Sequence, residues 1–508
     1  VLDLLVRVRD DNTALQVRLH NALRALYGRK SEKTSADQLA LLFEELKGEV
    51  PEGAREIVAA AQDEVEHPED APKPPRGRGG RSALPSNLPR EPRTVRVPDE
   101  LRTCAKCGRE KAVIGHISSD LLEFVPAQFK IIEERREKLA CKSCGDGVVA
   151  ADTQKPMDRG RPGPGLLAHV LVSKCQDSLP LYRQCQIYAR AGVTIAASTL
   201  GDWFSFAFDL LPPVAAAIRA RVLASLFLRA DDTPIPVQEK KHPKGIKRGH
   251  MWGYVGDNGL VAFDYTPTWA GTGPQAFLRG FDGFVQGDGY AGFKTALTRE
   301  GGDPIIDELR RLGCGMHIRR KFEQAADVGD ARGAIALAYF RKIYDVERIC
   351  KEQQLPPVAR KQQRDELSIP AIDELYAWVR ELHPHLVPGD KIHAATRYAL
   401  NQEAAWRRCF ADGRFEIDNG EVERQLRRVA LGRKNFLFAG SDKGAQRLAV
   451  AYSLLGSCHM LGINPLPYLT DVIDKVQNGW PVARIDELLP DVWASAHADE
   501  PFVDTVTP

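Results

Sequence analysis

No stretch of this 508-residue sequence is both long and apolar enough to span a bilayer. The richest candidate, residues 210–228, is interrupted by Pro212, Pro213, Arg219 and Arg221, whereas a spanning helix needs about 20 mostly apolar residues. A secretory leader pattern is missing too, because the first residues include Asp3, Arg7, Arg9, Asp10 and Asp11. Net charge is nearly absent, +2 from 70 basic and 68 acidic residues. Any nucleic-acid surface must therefore come from local clustering of basic side chains. Cysteine is too sparse for a secreted disulfide scaffold, with ten in the whole chain. These absences point to a soluble globular protein with a cytoplasmic, bacterial-type location. The length suits three or four domains.

The N-terminal segment has a heptad pattern. Leu5, Asn12, Leu19 and Leu26 recur every seven residues, with Val1, Val8, Leu15 and Ala22 on the second seam. This predicts a zipper-like helix ending at Gly28, with Asn12 able to fix register in a dimer. An amphipathic helix packed on its own chain is the other reading. A second helix is expected over residues 35–49, within a helical region of residues 1–65. Residues 66–98 are rich in Pro, Gly and Arg, including Arg76, Arg78, Arg81, Arg90 and Arg93. They form a basic linker that either lies along phosphates or serves only as a connection.

Two cysteine knuckles follow, Cys104-x2-Cys107-Gly and Cys141-x2-Cys144-Gly. Four thiolates in two such pairs complete a tetrahedral zinc shell, so residues 99–155 are expected to be a small structural-zinc module. A redox pair or free thiols are the alternatives. The other six cysteines read as buried thiols.

Residues 156–222 read as helical. A helix over 180–190, a turn at Ala191-Gly192-Val193 and a helix over 197–208 would suit a helix-turn-helix. Ser198, Thr199 and Asp202 would then sit at the groove-facing end. Plain helix packing satisfies the same pattern. From Leu223 the period changes. Short strands are expected at 225–230, 250–255, 260–265 and 283–286, with a turn at Asp257-Asn258-Gly259 and a helix over 273–279. This order predicts an α/β core with a mixed sheet, spanning residues 223–443. It carries a helical insertion at about 320–412, and a C-terminal helical segment follows over 444–508.

Cutting a phosphodiester requires two hard cations about 4 Å apart, held by oxygen ligands. Asp231 and Asp288 each follow an apolar strand, where a charge is costly unless paired or metal-bound. Glu423 lies on the helix expected after Asp418-Asn419, either of which could cap it. Asn419 and Glu423 share a face of that helix, and Glu421 points elsewhere. With 68 acidic residues in the chain, spacing alone leaves turn, cap and salt-bridge roles open for all three.

Longer motifs narrow this. GYAGF (289–293), CGMHIRRKF (314–322), FEIDNGEVER (415–424) and ALGRKNFLFAGSDKGAQR (430–447) resemble the DDE transposases of the insertion sequence 66 family. So do LYGRKSEK (26–33), GPGLLAHVLVSKCQDSLPLYRQ (163–184) and the two knuckles in their order. The resemblance implies a zipper-like helix, a zinc module, an RNase H-like catalytic core and a C-terminal helical segment. It implies Asp231, Asp288 and Glu423 as the catalytic triad and as ligands of Mg²⁺ or Mn²⁺. Three positions depart from the family's habit. Asp232 replaces the Glu of Asp-Glu-Thr, Gly420 replaces the second of two Asn, and Gly315 replaces the Trp after Cys314. Gly420 weakens a first helical turn by up to about 1 kcal/mol.

The insertion begins near the core with His317, Arg319, Arg320 and Lys321. His317 and Arg320 are candidate DNA or active-site contacts, with a structural role as the other reading, and Lys321 is a further candidate DNA contact. Arg424, Arg427, Arg433 and Lys434 surround Glu423 and would place phosphates by charge without reading bases. The expected function is metal-dependent cleavage and strand transfer of an insertion-sequence element. DNA, a second protomer and the element's accessory proteins are the expected partners, with nucleoid association when bound. The competing readings are a non-catalytic zinc-dependent DNA-binding protein and a nuclease on the RNase H-like fold.

Overall fold

The computed structural model describes residues 129–133, 135, 137–139, 149–150, 162–289 and 310–497. The expected zipper, the basic linker and all four knuckle cysteines lie outside these residues. Among the described residues of the expected zinc module, the secondary structure is a short antiparallel pair, β1 (Lys138–Leu139) with β2 (Val149–Ala150).

Three helices open the main body: α1 (Pro164–Cys175), α2 (Leu181–Arg190) and α3 (Ala197–Leu210). The turn between α2 and α3 passes through Gly192 at φ +82°, a backbone state that suits glycine. Ser198 and Asp202 are exposed on α3 and Thr199 is half-buried. Pro212 then starts α4 (Pro212–Val222) at a position where proline loses no hydrogen bond. Val214, Ala217, Ile218 and Val222 form its buried stripe.

Five strands form a mixed sheet: β3 (Phe227–Gln238), β4 (Ile246–Gly256), β5 (Val261–Thr266), β6 (Phe284–Gln286) and β7 (Arg311–Leu312). Their spatial order is β5-β4-β3-β6-β7. β3, β4 and β5 are antiparallel, while β6 and β7 join in parallel to β3. Helix α5 (Thr272–Phe277) makes the crossover from β5 to β6. The β4–β5 turn runs through Gly259 at φ +77°, with Asn258 Oδ1 accepting from the Leu260 amide.

β3 is longer than the expected 225–230. It continues through Asp231, Asp232, Pro234 and Pro236 to Gln238. The prolines fit because of backbone alternation. Pro236 O accepts from Ala439 N, and Gln238 N donates to Ala439 O. Even-numbered positions therefore turn their polar groups away from β4, so a missing N–H at 234 or 236 removes no β3–β4 bond.

The helical insertion has its own core. It comprises α6 (Gly315–Ala326), α7 (Ala331–Glu352), α8 (Pro357–Gln363), α9 (Ile369–Leu382) and α10 (Lys391–Arg408). Phe322, Phe340, Tyr376 and Trp406 are its large buried side chains. A π-helical turn at Arg364–Ser368 joins α8 to α9. It buries Arg364 completely, and Glu347 of α7 receives two of the guanidinium's hydrogen bonds at 2.6 and 2.9 Å. The carbonyls of Cys409, Asp412 and Phe415 take the remaining ones.

The chain returns to the sheet as α11 (Gly420–Phe436), which runs six residues past the expected end near Ala430. It packs across β3 and β4. Helices α12 (Asp442–Met460), α13 (Pro465–Gln477) and α14 (Pro490–Ala496) close the first core against β5 and α1. Among the described residues no helix is long and apolar enough to cross a membrane. Of the six cysteines outside the knuckles, five are buried and Cys185 is half-buried.

Candidate active site

Strand alternation separates the two adjacent aspartates of β3. Asp232 turns to one face, where its Oδ2 lies 2.5 Å from His250 Nδ1 and its Oδ1 accepts from Trp269 Nε1 at 3.0 Å. Asp231 turns to the other face, beneath α11. Its cross-strand partner is Gly253, where a Cβ would come within 3.2 Å of Val422 and 3.4 Å of Leu426. Glycine at 253 thus lets α11 lie close over the sheet beside Asp231.

The parallel pairing of β3 with β6 brings in the second carboxylate. Arg229 is in register with Gln286, and Asp231 and Asp288 each lie two residues further along. Gln286 is fully buried and ties β6 down, donating to Gly313 O at 3.1 Å and Glu416 O at 2.7 Å. Beyond Asp288, Gly289 N donates to Tyr398 Oη of α10 at 3.1 Å.

Glu423 sits in the first turn of α11. The segment before this helix is held by the insertion. Ile417 O accepts from Gly315 N at 2.9 Å and from Trp406 Nε1 at 3.1 Å. A Cβ at Gly315 would come within 2.7 Å of that indole nitrogen, so Trp406 fills the space that a larger residue at 315 would need. Glu416 pairs with Arg360 at 2.8 Å. Asn419 does not cap α11 with its side chain. Its Oδ1 accepts from the buried Cys314 thiol at 2.8 Å, and Asp418 Oδ1 takes the Gly420 amide at 2.9 Å instead.

The electrostatics join the three acids. Burial first, and then the neighbouring Asp288, push the Asp231 carboxyl up to about 8, with Glu423 adding to the rise. His317 of α6 is 3.4 Å from Glu423 Oε1, and Arg320 donates to Glu423 Oε2 at 3.4 Å. Burial lowers the His317 pKa even though Glu423 and Asp288 pull it upward. The Oε1 atom of Glu423 is buried without a hydrogen bond, as is His317 Nδ1. Among the described residues, no three acidic, His or Cys side chains close into a ready-made metal shell. Side-chain movement of Glu423 away from Arg320 and His317 would have to accompany binding of a shared cation.

The basic residues singled out from sequence divide in two. His317 and Arg320 touch Glu423, and Lys321 lies over the Tyr398 ring at 5.6 Å. Arg427 and Lys434 are exposed. Arg424 is exposed and pairs with Glu421, whose other oxygen accepts from Gln425. Arg433 reaches back to β3, donating to Thr233 Oγ1 at 2.9 Å and to Pro234 O. Sequence reading missed the Asp232–His250–Trp269 cluster and the Gln286, Tyr398 and Arg364 anchors. A strict alternation of faces through β3 would have separated Asp232 from Asp231. The other anchors join residues far apart in sequence and leave no local signal.

Comparison with known families covers most of the chain. Residues 159–447 match the model described as Transposase IS66 family, and residues 453–490 match the IS66 C-terminal element. Residues 102–145 match the zinc-finger binding domain of transposase IS66, and residues 14–93 match Transposase C of IS166 homeodomain. Among similar proteins of Sinorhizobium fredii, Uncharacterized protein y4hP is 32% identical over 96% of this chain and 89% of its own length. Uncharacterized protein y4qI is 32% identical over 92% of this chain and 86% of its own length. With more than half of its residues in the first match and a near full-length relative above 30% identity, the chain belongs to the IS66 transposase family.

Proposed function

We propose that this chain is a DDE transposase, cleaving DNA at the ends of an insertion-sequence element and joining the freed 3′ ends to target DNA. The observation that carries the reading is the convergence of Asp231, Asp288 and Glu423, from two parallel strands and one helix, at one end of a mixed sheet. The strand order, three antiparallel strands followed by two parallel ones, supports an RNase H-like core.

The donor set fits hard divalent cations. It is all oxygen, one carboxyl is driven up by burial and then by its acidic neighbours, and one buried oxygen of Glu423 has no hydrogen bond. Asp231, Asp288 and Glu423 would hold Mg²⁺ or Mn²⁺, which when bound activates the attacking oxygen and stabilises the leaving one. The protein's own residues do the rest. β3 and β6 fix the two aspartates in register, and the insertion sets the start of α11 and so the height of Glu423. Arg320 counters negative charge beside Glu423, and both Arg320 and His317 would pass to phosphate oxygens once the carboxylate turns to a cation. The exposed Arg424, Arg427 and Lys434 would guide the backbone, while Arg433 clamps α11 to β3.

Outside the core, Cys104, Cys107, Cys141 and Cys144 would hold one structural zinc. The α2–α3 pair would contact element ends, and the N-terminal heptads would pair two protomers, acting with the element's accessory proteins in the bacterial cytoplasm. One zinc per chain, lost in Cys104→Ser, is the expected metal content.

The reading is tested with a supercoiled plasmid carrying the gene and its native flanking DNA. With Mg²⁺ or Mn²⁺, breaks should map to repeated end sequences and be absent with Asp288→Asn. Random nicking without end joining would favour a simple nuclease.

A further inference from the structure

β6 is short. It runs from Phe284 to Gln286, and its pairings with β3 and β7 both stop at Gln286. Asp288 therefore lies past the last sheet pairing, and backbone bonds bracket it on both sides. On the strand side, Gly287 N donates to Leu312 O of β7 at 3.2 Å. On the far side, Gly289 N donates to Tyr398 Oη at 3.1 Å. The first bond comes from the sheet. The second comes from α10 of the insertion, 109 residues further along the chain.

The chain presses directly on α10 at this point. A Cβ at Gly289 would come within 2.5 Å of Gln402 Nε2 and 3.1 Å of the Tyr398 ring. Tyr398 and Gln402 lie one helical turn apart and so share a face of α10. Each is itself held. Gln402 is buried, and its Oε1 accepts from Arg311 Nη1 of β7 at 2.8 Å. The Lys321 ammonium of α6 lies over the Tyr398 ring at 5.6 Å. A strand end that has left its sheet loses the ladder that aims its side chains. Here a phenol hydroxyl and a carboxamide from the insertion form the stop against which that end rests.

We propose that Tyr398 is a positioning residue for Asp288. Its hydroxyl, backed by Gln402, fixes the backbone just after the aspartate and so sets how firmly that carboxylate holds a divalent cation. The inference rests on the metal-ion reading proposed above. It adds that the insertion places two of the three carboxylates, Asp288 through Tyr398 and Glu423 through the start of α11. Groups that orient a metal ligand without touching the metal govern affinity or activity by about 10- to 100-fold.

The test measures Mn²⁺ binding to the full, zinc-loaded chain without DNA, by loss of the free-ion electron paramagnetic resonance signal. Asp288→Asn defines the part of the binding that belongs to the carboxylates. Tyr398→Phe keeps the ring and removes the acceptor. It should weaken that binding about tenfold and raise the Mn²⁺ needed for half-maximal plasmid cleavage by a similar factor. Excess Mn²⁺ should restore most of the cleavage, which a loss of folded protein would not allow. Gly289→Ala pushes the same segment off α10 with the hydroxyl still present, and should shift Mn²⁺ binding in the same direction. Tyr376→Phe removes another insertion hydroxyl, bonded to Ala399 O at 3.3 Å, and should bind Mn²⁺ like wild type. Wild-type Mn²⁺ affinity in Tyr398→Phe, or in Gly289→Ala should the first not fold, overturns the positioning role and leaves the carboxylate site standing. Equal weakening in Tyr376→Phe also overturns it, by assigning the effect to insertion packing in general. Identical Mn²⁺ binding by wild type and Asp288→Asn overturns the carboxylate site and this inference together.

Discussion

Asp232 Oδ2 lies 2.5 Å from His250 Nδ1, on the face of β3 opposite its neighbour Asp231. Two consecutive aspartates thus have separate work, one beneath α11 with the other carboxylates and one bracing a histidine and a tryptophan. Asp231→Asn is expected to abolish cleavage while leaving the fold intact. Asp232→Asn is expected to keep cleavage within about tenfold and to cost about 1–3 kcal/mol in stability, because it disturbs a buried charge-assisted contact. Plasmid cleavage and urea unfolding on both variants check this. Equal loss of cleavage in both would contradict the division.

The Asp231 carboxyl gives a pH dependence of defined sign. In the unfolded chain it loses its proton near 3.8, and in the folded, metal-free protein near 8. Between those values the folded state binds the extra proton, so rising pH weakens it. Asp231→Asn removes this penalty. It should be more stable than wild type by about 1–4 kcal/mol near neutral pH, with the gain vanishing towards about pH 4. Unfolding curves for the two proteins that stay parallel across this window would argue against the carboxylate cluster.

Arg364 holds the insertion to the segment that precedes α11, through Glu347 and three carbonyls. Arg364→Ala leaves those acceptors buried and should cost about 3–5 kcal/mol. Lysine lacks the planar fork and should recover little. Denaturant melts give the energies. A change below about 1 kcal/mol would show that the network does not set the position of Glu423.

Gly253 is the close-approach point between β4 and α11, with Val422 within 3.2 Å of its missing Cβ. Gly253→Val should push α11 and Glu423 away from Asp231. Cleavage should fall about a hundredfold or more with DNA affinity retained, since small misplacements near chemistry are costly. Wild-type cleavage by Gly253→Val would mean that α11 is not the source of the third carboxylate.

Much of the sheet was legible because its strands are apolar runs bounded by turn residues, as at Asp257-Asn258-Gly259. Asp231 and Asp288 stood out for the same reason, as charges beside apolar strands. The far half of β3 was not legible, since two aspartates and two prolines look like a strand end. They are accommodated only because of their parity relative to β4 and because His250 and Trp269 engage Asp232. Asn419 read as a cap from its position before a helix. Its actual partner, the Cys314 thiol, is 105 residues away and adjacent only in the fold. Arg364 sits in a polar run that looks solvent-exposed, and only the π-helical turn and Glu347 explain its burial.

The central claim is that three carboxylates act as one site. It is tested most directly by comparing Asp231→Asn, Asp288→Asn and Glu423→Gln with Glu421→Gln, one turn-mate outside the cluster, in the plasmid assay with DNA binding measured in parallel. The account predicts that the first three each lose at least about a hundredfold in both nicking and joining while still binding DNA, and that Glu421→Gln stays near wild type. Near wild-type cleavage by any one of the three would contradict it.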